Sequence, residues 1–131
     1  VKYLLDTNAC IAILNGTDAT LRDRLNEIGP QNIALCSIVL GELLFGARKS
    51  AKVEQNLERV QRFSQGLNSY HYDDKASEFY GINRALLERA GTPIGEADLM
   101  ISSIALANNL TVITRNRKEF MRVPGLKVES W

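Results

Sequence analysis

Apolar positions recur along the chain in two alternating patterns, short continuous runs and longer stretches with helical spacing. Tyr3-Leu4-Leu5 reads as a first buried strand that ends at Asp6, with Thr7 or Asn8 placed to cap a helix beginning near Ala9. Asp18 to Glu27 reads as a second helix, closed by Gly29-Pro30. Ile33 to Cys36 is another short strand, and Ser37 is the candidate cap of a helix running through Glu42, Leu43 and Phe45 toward Arg48. Val53, Leu57, Val60 and Phe63 have the spacing of a one-faced helix, and Gly66 offers a stop. Asp73 or Asp74 opens a further helix reaching Ala90-Gly91, with Phe79, Ile82, Leu86 and Leu87 expected to supply much of its apolar face. After the connector Thr92-Pro93-Ile94-Gly95, the segment from Glu96 to Asn108 repeats Leu99, Ile101, Ile104 and Ala105 at helical spacing. Thr111 to Thr114 is a strand, followed by a polar segment, a short helix around Glu119-Phe120 and a strand-like Leu126-Lys127-Val128.

Strands alternating with amphipathic helices favour an α/β fold, and a compact three-layer domain over residues 1–131 is the economical arrangement. No linker, repeat or low-complexity tract divides the series. The apolar runs fall far short of the roughly 20 residues of a spanning helix, so no membrane span is expected. The start reaches Asp6 after three apolar positions and lacks the apolar core of a secretory signal, which favours the cytoplasm. Cys10 and Cys36 form neither a disulfide framework nor a paired-cysteine metal pattern. With 16 basic and 15 acidic residues, the net charge of +1 argues only weakly for a polyanionic partner. Its distribution says more, because Arg115, Arg117, Lys118, Arg122 and Lys127 outnumber Glu119 and Glu129 from Thr111 onward. That run is either a positive rim or a solvated face.

Asp6, Glu42 and Asp98 stand out because each adjoins a strongly apolar segment. Asp6 closes the first strand, and ligands of open α/β sheets bind beyond such carboxyl ends. Glu42 lies between Leu40 and Leu43, where a solvent-facing acid is not expected. Asp98 falls in the first turn of its helix. Carboxylates gathered without partners repel, and Mg²⁺ or Mn²⁺ would stabilise them. Each acid also has an ordinary alternative: a cap at Asp6, an ion pair with Arg48 at Glu42, a first-turn charge at Asp98.

Other chemistries find less support. His71, the single histidine, sits between Tyr70 and Tyr72 and reads as a surface or interface residue. Cys36 precedes a helix start but has no histidine partner, which disfavours a thiol nucleophile. Glycines mark turns and helix ends with no phosphate-loop pattern. Trp131 and Tyr3 are assigned to packing.

Several strings in order resemble the VapC toxins of the PIN-domain nuclease family. They are Lys2-Tyr3-Leu4-Leu5-Asp6-Thr7-Asn8, Leu40-Gly41-Glu42-Leu43 with Phe45-Gly46-Ala47, and Gly91-Thr92-Pro93-Ile94-Gly95-Glu96-Ala97-Asp98. Val112-Ile113-Thr114-Arg115-Asn116-Arg117-Lys118-Glu119-Phe120 and the ending from Val123 to Trp131 continue the match across the chain. The resemblance implies a PIN-like α/β/α fold with a central, mainly parallel sheet and an acidic pocket for Mg²⁺, or Mn²⁺, formed by Asp6, Glu42 and Asp98. It implies that Glu119 contributes directly or through water, and that Asn116 stands where many relatives carry another Asp. The implied reaction is hydrolysis of an RNA phosphodiester by metal-activated water, on structured RNA such as transfer RNA, with inhibition of translation. Thr7, Asn8, Thr114 and Asn116 are candidates to orient water or carboxylates.

Arg115, Arg117 and Lys118 are the first candidates for RNA phosphate, with Arg48, Lys49 and Lys52 as a second cluster. The resemblance further implies a homodimer and a VapB-like antitoxin that places an Arg or Lys in the acidic pocket. The helices Val53–Phe63 and Phe79–Leu87 are candidate partner surfaces, or else parts of the core. A noncatalytic RNA- or protein-binding module, and a metal-dependent DNase or phosphatase, are the alternative readings.

Overall fold

The computed structural model describes residues 1–131. Five parallel strands form one sheet in the order β3-β2-β1-β4-β5. They are β1 (Tyr3–Leu5), β2 (Ile33–Cys36), β3 (Asn68–Tyr70), β4 (Thr111–Ile113) and β5 (Lys127–Glu129). The flanking helices are α1 (Thr7–Asn15), α2 (Ala19–Ile28), α3 (Ser37–Lys49), α4 (Val53–Gln65), α5 (Asp74–Arg89), α6 (Glu96–Asn108) and the short α7 (Arg117–Phe120). The α/β class and parallel sheet are as expected.

Strands buried on both faces read as unbroken apolar runs rather than as alternating ones. β1, β2 and β4 obey this: every residue of Tyr3–Leu5, Ile33–Cys36 and Thr111–Ile113 is buried. β1 lies in the middle, pairing Leu4 with Ala34 of β2 and Leu5 with Ile113 of β4. The chain builds outward from β1 through β2 to β3, then returns to the other side of β1 for β4 and β5. That reversal creates a switch point between β1 and β4, and a crevice opens beyond their carboxyl ends.

Several local expectations need correction. β3 is a polar edge strand, Asn68-Ser69-Tyr70, with no apolar run to announce it. The cap of α1 is Asp6, whose Oδ1 accepts from Ala9 N at 2.8 Å, in place of Thr7 or Asn8. Cys36 occupies the cap position of α3, and Ser37 is its first residue. On α5 the buried positions are Ala76, Asn83 and Leu87, whereas Ile82 is 64% exposed and Leu86 44%. The inward face of α5 packs on α6 and is narrower than its apolar content suggested. On α4, Val60 is buried and Leu57 and Phe63 pack on the core, so that stripe faces inward. Tyr3 and Trp131 meet edge to face at 4.8 Å, a packing contact as expected.

Phe120 is fully buried in the main core and anchors α7, a helix too short to persist alone. Phe120→Ala should lower unfolding stability by about 3 to 5 kcal/mol in urea titrations, while Met121→Ala at an exposed neighbour should change it by less than about 0.5 kcal/mol. Equal effects at the two positions would show that Phe120 does not anchor the segment.

Candidate active site

Asp6 leaves the end of β1 with 3% of its surface exposed. The backbone fixes it: its N–H continues the ladder to Ile113 O at 3.1 Å, and its side chain caps α1. Thr114, one residue beyond β4, is equally buried and hydrogen-bonds to the Asp6 carboxylate. Burial raises the affinity of Asp6 for a proton and the charge of Glu42 adds to it, while Thr114 and Ala9 N pull the other way. The capping alternative and the site position therefore coexist in one residue, since the cap occupies only one side of the carboxylate.

Glu42 projects from α3 and is exposed, contrary to the expectation drawn from Leu40 and Leu43. A helix rotates successive side chains by about 100°, so Leu43 turns into the core while Glu42 stays outside. Thr7 Oγ1 donates to Glu42 Oε1 at 2.5 Å and joins the start of α1 to α3. Glu42 makes no ion pair with Arg48.

Asp98 lies in the first turn of α6 and is half-buried. Burial, followed by the charges of Glu119, Asp6 and Glu42, pushes its carboxyl from 3.8 up to about 6. These unfavourable effects outweigh the attraction of the helix N-terminus for an acid. The shift also shows that all four carboxylates act on one region. Glu119, from α7, is opposite in character: Gly95 N donates to Oε1 at 3.0 Å and Asn116 Nδ2 to Oε2 at 2.6 Å. Those two donors, Gly95 first, hold Glu119 below its ordinary range.

The structure thus brings Asp6, Glu42, Asp98, Asn116 and Glu119 to one sheet edge. Asp6, Glu42 and Asp98 have no basic partner. No three acidic, histidine or cysteine side chains are gathered tightly enough to cage an ion by themselves. An unpaired, all-oxygen donor set of this spread fits Mg²⁺ or Mn²⁺ with much of its water retained, because Mg²⁺ is usually held by one or two carboxylates. A closed soft-ligand site is foreign to it, and the thiols agree: burial pushes Cys36 up to about 11 and Cys10 well above its usual range.

The basic candidates divide. Arg115 is ion-paired to Asp18, the residue that caps α2. Arg117 and Lys118 are exposed and free of ion pairs, as are Arg48, Lys49 and Lys52. Sequence reasoning did not find the Asp18–Arg115 pair, which joins residues far apart in the chain, nor the backbone N–H of Gly95, which carries no side-chain signal. His71 is exposed and makes no ion pair, in keeping with a surface residue.

The sequence pattern of the PIN domain matches residues 3–126. The tRNA(fMet)-specific endonuclease VapC of Salmonella typhimurium is 40% identical over 131 residues, covering 100% of this chain and 98% of that protein. Ribonuclease VapC2 of Rickettsia felis is 41% identical over 130 residues, covering 98% and 97%. The solved structure of VapBC2 from Rickettsia felis, bound to promoter DNA, aligns with a TM-score of 0.93 at 39% identity over 100% of this chain and 99% of that one. DNA-bound VapBC from Salmonella typhimurium gives 0.94 at 40% identity, covering 100% and 98%. The chain belongs to the PIN-domain family and, within it, to the VapC group. No helix is long and apolar enough to cross a membrane.

The position of Asp98 has a measurable consequence for the metal-free protein. Its folded pKa lies above its unfolded value, so the folded state binds the proton more tightly and loses stability as pH rises from about 4 through about 6. Because the group is only half-buried, solvent screening limits this loss to on the order of 1 kcal/mol. Asp98→Asn should therefore stabilise the metal-free protein at pH 7 by that amount, with the gain fading toward pH 4 in urea unfolding. A variant no more stable than the parent at pH 7 would refute the electrostatic account.

Proposed function

We propose that this protein is an Mg²⁺- or Mn²⁺-dependent endoribonuclease toxin that hydrolyses phosphodiester bonds of structured RNA, such as transfer RNA, and so inhibits translation. The observation that carries this reading is the unpaired carboxylate cluster beyond β1 and β4, with Asp98 pushed up to about 6 by burial and by the neighbouring acids. The ribonuclease names of relatives covering the whole chain support RNA as substrate.

Asp6 and Asp98 would hold the ion, with Glu42 close behind. When bound, the ion supplies an activated water and neutralises charge on the phosphate. Asp6 is oriented for this by Thr114 and by the start of α1, and Glu42 by Thr7. Arg117 and Lys118, free on the exposed rim, would draw the RNA backbone toward a pocket whose own charge repels it. Arg115 joins them with its guanidinium already fixed by Asp18.

A VapB-like antitoxin is the proposed partner, supported by the VapBC complexes among the structural neighbours. A cationic side chain from it, seated among Asp6, Glu42 and Asp98, would block cleavage without unfolding the enzyme. The exposed Leu44 and Phe45 of α3 and Ile82 and Leu86 of α5 supply apolar surface for the antitoxin and for a homodimer.

Purified protein should cleave total cellular RNA only with Mg²⁺ or Mn²⁺, leaving DNA intact. Asp6→Asn is an informative variant because Asn caps a helix as well as Asp does, so the fold should survive while ion affinity and cleavage fall together. Cleavage by this variant at the parental rate would remove Asp6 from the ion site. Changing Arg117 and Lys118 together to Gln should weaken RNA binding and reduce the salt slope by about 0.7 per lost contact, leaving Mn²⁺ affinity intact. An unaltered slope would assign these two residues to another partner or to solvation.

A further inference from the structure

Asp6 and Asp98 are far apart in sequence and sit on elements that do not pair with each other. Asp6 ends β1, whereas Asp98 rides on α6, whose N-terminal cap residue, Gly95, has no side chain to satisfy the first amides of the helix. Something must hold that helix start in place against the repulsion that the carboxylates exert on Asp98.

A continuous hydrogen-bonded path spans the gap. Asp6 and Thr114 leave paired strands side by side, with Asp6 N donating to Ile113 O at 3.1 Å and the Thr114 hydroxyl lowering the proton affinity of the Asp6 carboxylate. Thr114 Oγ1 accepts from Asn116 N at 2.8 Å, and Asn116 Nδ2 donates to Glu119 Oε2 at 2.6 Å. Glu119 Oε1 then accepts from Gly95 N at 3.0 Å. The last link returns to the helix, where Leu99 N donates to Gly95 O at 2.9 Å. A second arm runs alongside, since Arg122 Nη1 donates to Pro93 O at 2.9 Å. The segment that follows β4 therefore grips the connector before α6 at two points.

We infer that Asn116 and Glu119 form a spacer that holds Asp98 at its working separation from Asp6, and that Glu119 is a positioning residue. The two bonds fix both Glu119 oxygens toward Gly95 and Asn116, and contact with an ion would have to use the lone pair that each oxygen retains. Gly95 sits between the two carboxylates: a Cβ there would lie 3.8 Å from Asp98 Oδ2 and 3.9 Å from Glu119 Oε1. The identity of residue 116 follows from this arrangement. An ionised Asp is acceptor-only and would oppose the Glu119 oxygen, whereas Asn supplies the donor that the path requires.

The consequence for ion binding rests on the divalent-ion reading of the site, but the spacer can be tested without metal. Amide exchange at Gly95 in the metal-free protein reports the Glu119 bond, and Mn²⁺ titration reports its effect on the site. Glu119→Ala should speed Gly95 exchange about tenfold, the loss expected for one charge-assisted hydrogen bond, and weaken Mn²⁺ binding. Glu119→Gln retains an acceptor for Gly95 and, with the Asn116 amide turned over, a partner for Asn116, so Gly95 protection and Mn²⁺ affinity should persist. Asn116→Asp should expose Gly95 and lower cleavage. Adding Glu119→Gln to it restores a donor opposite an acceptor at unchanged net charge, and should recover Gly95 protection, Mn²⁺ affinity and cleavage relative to Asn116→Asp alone. The inference is overturned if Glu119→Gln loses Mn²⁺ affinity as fully as Glu119→Ala with Gly95 still protected, or if Asn116→Asp binds Mn²⁺ more tightly than the parent. A parent protein that binds no Mn²⁺ would defeat the divalent-ion reading, and Gly95 exchange would still decide the spacer.

Discussion

The parallel pairing of β1 with β4 is the interaction on which the site depends. It sets Leu5 opposite Ile113, so that the next residues, Asp6 and Thr114, leave adjacent strands together at the same edge. Strands buried on both faces disfavour a charged side chain within the run, and the first acid of β1 appears where that strand stops. The hydrophobic core and the polar edge are thus two results of one pairing. Removing the pairing would separate Asp6 from Thr114 and, through it, from the segment that grips α6.

Electrostatics works against this architecture. Asp98 is pushed up to about 6 by burial and by three like charges, and no basic side chain in the chain offsets them. Such a cluster persists because packing far from it supplies the opposing free energy: Leu4, Leu35, Ile104 and Phe120 are fully buried around the strands and α6. Sites that store unfavourable charge in this way favour cations, whether a divalent ion or a cationic side chain of a partner. Both proposed occupants of the pocket would relieve the same repulsion, which makes competition between them a direct outcome of the charge distribution.

The rim and the floor of the site have different organisation. Asp6, Glu42 and Glu119 are oriented by Thr7, Thr114, Asn116 and backbone amides. Arg117 and Lys118 are exposed without such bonds, which suits the proposed role of following a polyanion. Arg115 is intermediate, exposed but anchored by Asp18.

Much of this was legible in the chain itself. The largely apolar runs Tyr3–Leu5, Ile33–Cys36 and Thr111–Ile113 announced the central strands because burial on both faces favours near-continuous apolar residues. The helical spacing of Leu99, Ile101, Ile104 and Ala105 announced α6 for the same reason, and Asp6 and Asp98 stood out as acids where those runs stop or begin. β3 was silent, since an edge strand of Asn68-Ser69-Tyr70 needs backbone partners but no apolar side chains. Glu42 was misjudged as withdrawn from solvent because neighbours in sequence point to different sides of a helix. Pairings between distant residues, Glu119 with Gly95, Arg115 with Asp18 and Thr7 with Glu42, have no periodic signature. The sequence by itself determined which segments must be buried and which acids border them, since both follow from local patterns of polarity. Only the tertiary structure decided which acids face one another and what holds them apart, because those distances depend on strand order and on hydrogen bonds between segments remote in the chain.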